Sequence, residues 1–241
     1  MRLDKFLSET GTLSRSESGR AVRAGKVLVN GRAAKSPSDR VDPERDEIFF
    51  GGERVLYRRF TYILLNKPDG YVSATEDGRE KTVLELLPEK QRKIDLFPCG
   101  RLDKHTLGLM LLTNDGQLAH DLLSPRHHVE KLYRFSVKFP LTDEEVARLE
   151  QGTVLEDGYE TKPSRICLDE ERKSGTIMLI EGKYHQIKRM MESVHNQITS
   201  LERISFGPLT LDPTLERGAW RYLTEAEEAA LQACRKGTPK Q

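Results

Sequence analysis

The sequence predicts an α+β protein in two parts: a small basic module, and a larger body built on a mixed, largely antiparallel sheet flanked by helices. Two observations carry that reading. From Thr61 onward, hairpin-like strand runs alternate with short capped helices, with no internal repeat and no low-complexity segment. Charge is also unevenly spread. The 241 residues carry 39 Lys+Arg against 38 Asp+Glu, a balance that taken alone argues against a polyanionic partner. Residues 1–60 nevertheless hold 13 basic and 9 acidic side chains, and residues 1–40 hold 9 and 4. The other 181 hold 26 and 29, so near-neutrality conceals a basic module joined to a mildly acidic body.

Composition removes several classes. Hydrophobic residues at 37% supply a core, which rules out a disordered chain. No apolar run reaches the roughly 18 residues of a membrane span. The start, Met1-Arg2-Leu3-Asp4-Lys5, is charged where a signal peptide is apolar. Cys99, Cys167 and Cys234 are odd in number and scattered, which argues against a disulfide framework or a Cys-based zinc site and for a reducing, cytoplasmic setting.

In the module, Arg2 to Leu7 reads as a short amphipathic helix with Leu3, Phe6 and Leu7 on one side, broken at Gly11. Ser14 and Glu17 have capping-box spacing, and the helix they open runs over 15–24, with Gly25 after it. Arg20 and Arg23 share a face of that helix. Val27-Leu28-Val29 and Arg32-Ala33 flank Asn30-Gly31, a hairpin turn signal. Arg15, Arg20, Arg23, Lys26 and Arg32 are thereby expected near one another. Gly51-Gly52, Arg54, Arg58 and Arg59 make 51–60 read as a linker with little to pack.

In the body, Tyr62-Ile63-Leu64-Leu65 is a buried-strand run stopped by the turn residues Asn66 to Gly70. Thr82 and Glu85 cap a short helix that ends near Pro88, and Leu96-Phe97 is a short strand. Strand 108–113 leads through Asn114-Asp115-Gly116 into helix 117–123. Over 131–139 the alternation of Tyr133, Phe135, Val137 and Phe139 with polar residues marks a half-buried strand. Thr142 and Glu145 open a helix closed by Gly152. A strand over 175–180 precedes a helix over 184–195, whose apolar side is Ile187, Met190, Met191 and Val194. Strands 198–206, 209–211 and 220–223 follow, and Thr224 with Glu227 caps the last helix.

Three constellations can carry chemistry. Asp103 is a lone carboxylate in a loop between Arg101 and Lys104, just before an apolar strand. Cationic neighbours favour the ionised carboxylate, the form a nucleophile needs; taken alone, a surface ion pair is the simpler reading. Glu181 to Met191 is a turn followed by a cation-rich helix start, where Lys188 either pairs with a buried carboxylate or sits in water beside Arg189. In Ser124 to Tyr133, the neighbours His127 and His128 do not make a metal site, because no third ligand has suitable spacing. Arg126 and Lys131 are the better candidates there, as phosphate contacts.

These segments resemble known motifs. Arg2 to Leu7, Ser14-Arg15-Ser16 and Gly25 to Gly31 resemble the S4 RNA-binding domain, with Ile48 fitting its closing strand. Asn66-Lys67-Pro68-x-Gly70, then Gly100-Arg101-Leu102-Asp103 with Thr106-x-Gly108-Leu109 and Leu112 to Gly116, then Glu130-Lys131-x-Tyr133, then Glu181 to Met190, are similar in order to the motifs of the RsuA/RluB/RluE/RluF family of bacterial rRNA pseudouridine synthases. Ser124 to His128 and Tyr184 to Lys188 look most like its small-subunit branch, in which Lys188 stands where many members carry Arg. The resemblance implies an S4-like domain over 1–50, a linker over 51–60 and a catalytic domain over 61–241.

It also implies the activity. A uridine of 16S rRNA would become pseudouridine, with Asp103 as nucleophile or electrostatic partner, Lys188 paired with it, and Tyr133 stacked on the base. Ile180 would form the apolar wall. Arg101 would fill the space the flipped base leaves or touch phosphate, with Arg126, Lys131 and Arg189 as further substrate contacts. The five basic residues of the first module would grip RNA. The reaction has no redox step and no net group transfer, so no cofactor and no metal is expected. The partner would be 16S rRNA or a small-subunit assembly intermediate, met by a monomer away from any membrane. Two alternatives stay open at this stage: the same chemistry on 23S rRNA, and a non-catalytic RNA-binding or ribosome-assembly factor.

Overall fold

The structure, a computed structural model, describes residues 1–124 and 129–234. The chain divides into two compact units, Met1–Thr61 with Leu84–Phe97, and Tyr62–Val83 with Pro98 onward. Among the described residues no helix is long and apolar enough to cross a membrane.

The first unit begins with α1 (Leu3–Glu9), which buries Leu3, Phe6 and Leu7 as the spacing requires. Helix α2 (Arg15–Arg23) opens on the expected capping box: the Glu17 N–H donates to Ser14 Oγ at 3.3 Å, and the Ser14 N–H donates to Glu17 Oε2 at 2.7 Å. Strands β1 (Val27–Val29) and β2 (Arg32–Ala33) turn at Asn30-Gly31, both at positive φ. Strand β3 (Ile48–Phe50) pairs antiparallel with β1.

The reading of 51–60 as an open linker needs correction. Gly51 and Gly52, both at positive φ, turn the chain into β4 (Glu53–Arg54), which pairs with β3. Val55 and Tyr57 then pack on the small core. The Tyr57 ring stacks on Phe6 at 5.3 Å, and its hydroxyl donates to Glu9 at 2.8 Å. Two adjacent glycines serve a hairpin as readily as a tether, and the charged neighbours obscured the alternate apolar residues.

The body follows as β5 (Tyr62–Lys67), a 3₁₀ helix (Val83–Leu86), α3 (Glu89–Arg92), β6 (Phe97–Pro98), β7 (Leu107–Thr113), α4 (Gly116–Leu123), β8 (Lys131–Val137), α5 (Asp143–Gln151), β9 (Arg165–Leu168), β10 (Ser174–Leu179), α6 (Gln186–Glu192), β11 (Ile198–Phe206), β12 (Leu209–Thr210), β13 (Trp220–Tyr222) and α7 (Glu225–Gln232). Residues 84–97, read from sequence as part of the body, belong to the first unit, where Lys93 lies 3.8 Å from Glu17. Pro88 ends the 3₁₀ turn and precedes α3, so the single short helix expected there is two pieces.

Seven strands lie in the order β13-β5-β7-β11-β8-β10-β9, and β12 pairs with β11. Only β7 and β11 run parallel among these pairs, so the sheet is mixed and largely antiparallel. The parallel pair depends on Gly108. A Cβ there would come within 2.3 Å of the Arg203 carbonyl, and its φ of 98° suits glycine alone. Strand β9, a half-exposed edge, had no sequence reading. Helix α6 is shorter than the expected 184–195 at both ends: left-handed His185 (φ 48°, ψ 31°) keeps Tyr184 outside it, and the helix stops at Glu192, before His195 at φ 58°.

Candidate active site

Asp103 sits in the loop before β7, and that loop is tied down at several points. Lys67, fully buried at the end of β5, donates from Nζ to the carbonyls of Lys104 (3.0 Å), Thr106 (2.9 Å) and Pro68 (3.1 Å). Burial pushes the Lys67 ammonium down to about 8, against the upward pull of Asp69 and Asp103. The Ser73 hydroxyl donates to the Leu102 carbonyl at 2.8 Å and accepts the Leu102 N–H at 2.9 Å. The Gly70 N–H reaches the Lys104 carbonyl at 3.1 Å, and Lys104 pairs with Glu80 at 2.7 Å. The Asn66–Gly70 turn and the Asp103 loop therefore form one braced structure.

Lys188 arrives from the first turn of α6. Gln186 locks the preceding turn by donating from Nε2 to Glu181 Oε1 (2.7 Å) and accepting the Lys183 N–H at Oε1 (2.9 Å). Tyr159 OH and the Lys162 N–H hold the same Glu181 carboxylate, at 2.7 and 3.0 Å. Lys188 Nζ then lies 2.9 Å from Asp103 Oδ2, with both side chains about a quarter exposed. His185 Nε2 lies 3.6 Å from the other oxygen, Oδ1. The charge-assisted contact to Lys188 fixes the carboxylate while leaving it open to a substrate.

Asp103, Lys188, Tyr133 and Arg101 line one cavity of about 570 Å³, a size that suits a nucleotide. Tyr133 is buried on β8, and Arg101 is exposed. Leu179 and Leu201 are among the apolar residues that line the cavity, and Ile180 lies outside the lining. The register explains the correction. Leu179 stands opposite Lys131, and Ile177 opposite Tyr133, so the odd-numbered residues of β10 share the Tyr133 face. Single-sequence reading gives a strand's alternation but not its parity against a partner.

The remaining contacts fall out differently. Arg189 lies outside the cavity lining and pairs with Asp157 at 2.6 Å. The Arg189 guanidinium is held by Asp157, whereas Gln186, Ile187 and Lys188 line the cavity. Lys131 lines the cavity but is buried, donating to the Val129 carbonyl at 2.9 Å, and burial pushes it down to about 8. Arg126, His127 and His128 lie outside the described residues. Arg15, Arg20, Arg23, Lys26 and Arg32 are all exposed in the first unit. Among the described residues no group of three His, Cys, Asp or Glu is placed to hold a metal ion.

Sequence reasoning gave no role to Lys67, Ser73, Leu201, Tyr184 or His185. Lys67 stood in the Asn66-Lys67-Pro68-x-Gly70 motif without a role of its own, as Tyr184 and His185 did in the last motif. Ser73 and Leu201 left no such trace.

A braced loop carboxylate paired with lysine thus lines a nucleotide-sized cavity on a mixed sheet. Residues 61–193 match the model of the RNA pseudouridylate synthase family, and residues 1–48 match that of the S4 domain. The chain belongs to the RNA pseudouridylate synthase family. It is 46% identical over 230 residues to the RNA pseudouridine synthase YtzG of Bacillus subtilis, covering 94% of this chain and 96% of that one. It is 40% identical to ribosomal small subunit pseudouridine synthase A of Yersinia pestis (97% and 99% covered), and 37% identical to the Escherichia coli protein of that name (96% and 100%). A crystal structure of a pseudouridylate synthase superimposes with a TM-score of 0.67 at 36% identity, covering 96% of this chain and 99% of that one.

Proposed function

We propose that this protein converts a specific uridine of 16S rRNA into pseudouridine, with the first unit gripping RNA and the second performing the chemistry. The observation that carries this reading is the 2.9 Å Asp103–Lys188 pair that lines one cavity with Tyr133. Full-length similarity to small-subunit synthases supports the 16S target.

The reaction breaks the N1–C1′ bond, turns the uracil, and joins C5 to C1′; the proton lost from C5 is balanced by one gained at N1. Asp103 acts as the nucleophile or as the electrostatic partner of the sugar. Lys188 holds the carboxylate in place without reorganising during the reaction. Tyr133 lies against the base, and its phenol is the group on that face suited to assist loss of the C5 proton. Leu179 and Leu201 keep that side dry. Arg101, exposed at the cavity, takes the space the base vacates or contacts phosphate. The exposed cations of the first unit contact phosphates and position the RNA. The chain works as a monomer on rRNA or on a small-subunit assembly intermediate, in the cytoplasm.

Incubating the protein with 16S and 23S transcripts and with small-subunit particles, then mapping pseudouridine, tests the reading. One modified uridine in 16S rRNA is expected. Modification confined to 23S rRNA would move the target. No modification, together with no tritium release from RNA labelled at uracil C5, would leave a non-catalytic RNA-binding factor.

A further inference from the structure

Tyr184 is 70% exposed, the most exposed large apolar side chain among the described residues. It lines the cavity beside His185 and Asp103. Its ring stacks on the His185 imidazole at 3.8 Å between centroids and 18° between planes, so one face is covered and the other meets solvent. The pair is held apart from α6 because His185 adopts a left-handed conformation that a non-glycine residue rarely takes (φ 48°). The hydrogen bonds through Gln186 brace the turn beneath it. His185 also ties the pair to the chemistry, its Nε2 lying 3.6 Å from Asp103 Oδ1.

We propose that Tyr184 and His185 form a stacking ledge for the nucleobase that neighbours the flipped uridine. This rests on the reading that Asp103 acts on a uridine in RNA. Turning one base out of a strand strips a stacking partner from the next. A preformed two-ring stack with a free outer face, adjoining the reacting carboxylate, offers a replacement partner where the neighbouring base must lie. Stacking uses the ring face common to all bases, so the ledge positions the strand without reading its sequence.

The test measures kcat/KM of the full chain on a 16S transcript. Tyr184→Ala is expected to lower it roughly 5- to 150-fold, the range that alanine substitution costs a stacked base. The loss falls mainly on KM, and the dependence of binding on salt is unchanged because Tyr184 neutralises no phosphate. Tyr184→Phe keeps the ring and restores most of the loss. Tyr184→Leu keeps apolar bulk but has no π face, and stays near Tyr184→Ala. Wild-type kcat/KM in both the Ala and Leu variants would overturn the ledge, as would full rescue by Leu. A wild-type protein that modifies no RNA would instead sink the function on which the ledge rests, so the two failures are distinct.

Discussion

Arg15, Arg20, Arg23, Lys26 and Arg32 stand exposed on the first unit, and none forms an ion pair with a described residue. In the second unit Lys67 and Arg203 are 0% and 1% exposed, Lys131 is buried, and Lys188 and Arg189 each hold a carboxylate. Arg203 donates to the Leu109 carbonyl at 2.8 Å and lies over the Phe206 ring. The same residue types thus serve two ends. Bare surface cations attract a polyanion and make little structure. Buried or paired cations build structure and have little charge left for a distant partner. The total charge of +1 conceals this because counting ignores burial.

The comparison breaks first at Asp103. Asp103→Asn is expected to lower pseudouridine formation by roughly 10⁴-fold or more, as loss of a covalent nucleophile does, while RNA affinity stays within about threefold, since binding belongs to the other cations. Substantial turnover by the variant would end the assignment. Lys188→Met comes next, with a loss of roughly 10²- to 10³-fold in single-turnover rate at unchanged affinity. An equal fall in affinity would place Lys188 among the phosphate contacts.

Changing Arg15, Arg20, Arg23, Lys26 and Arg32 to Gln addresses the other side. The salt dependence of RNA binding should flatten by roughly 0.7 to 0.9 for each phosphate that the protein no longer neutralises, with the rate at saturating RNA retained. An unchanged salt slope would reject the gripping role. Point substitution keeps the first unit whole, which residues 51–61 and 84–97 also help to build.

The smallest effect concerns Lys67. Lys67→Met strands three loop carbonyls and should lower stability by about 2 to 4 kcal/mol. Burial disfavours the protonated lysine, so the folded state gives up the proton near 8 while the unfolded chain keeps it to 10.5. Between those values the unfolded state binds more protons, and the stability of wild type relative to Lys67→Met rises with pH. The cost of the buried charge is present in full below that window. Urea unfolding of both proteins at about pH 7 and about pH 9.5 measures the difference. A gap that stays constant or narrows would show that Lys67 is not the buried ammonium described.

Much of this protein was legible from local signals. The capping boxes at Ser14, Thr142 and Thr224 all form, because a cap is made between residues three apart. Strand positions from β5 to β13 were mostly readable from alternation and stop residues. Asp103, Tyr133 and Lys188 were readable as motif residues, and the fold brings all three to one cavity. Errors gathered where the answer depended on a distant partner. The wall residue was misassigned because the face that β10 turns to Tyr133 depends on its register with β8, and because the strand ends at Leu179, one residue before Ile180. The stretch 51–60 was misjudged because its apolar residues pack on a helix some fifty positions away.

The sequence by itself determined the elements, their caps and the order of the chemical groups, since each depends on neighbours within a few positions. Only the tertiary structure decided which cations are bare and which are enclosed, which face of β10 walls the cavity, and that Lys67 braces the Asp103 loop. Those outcomes depend on burial and on contacts between residues dozens of positions apart, and a linear pattern does not encode the environment that long-range packing creates.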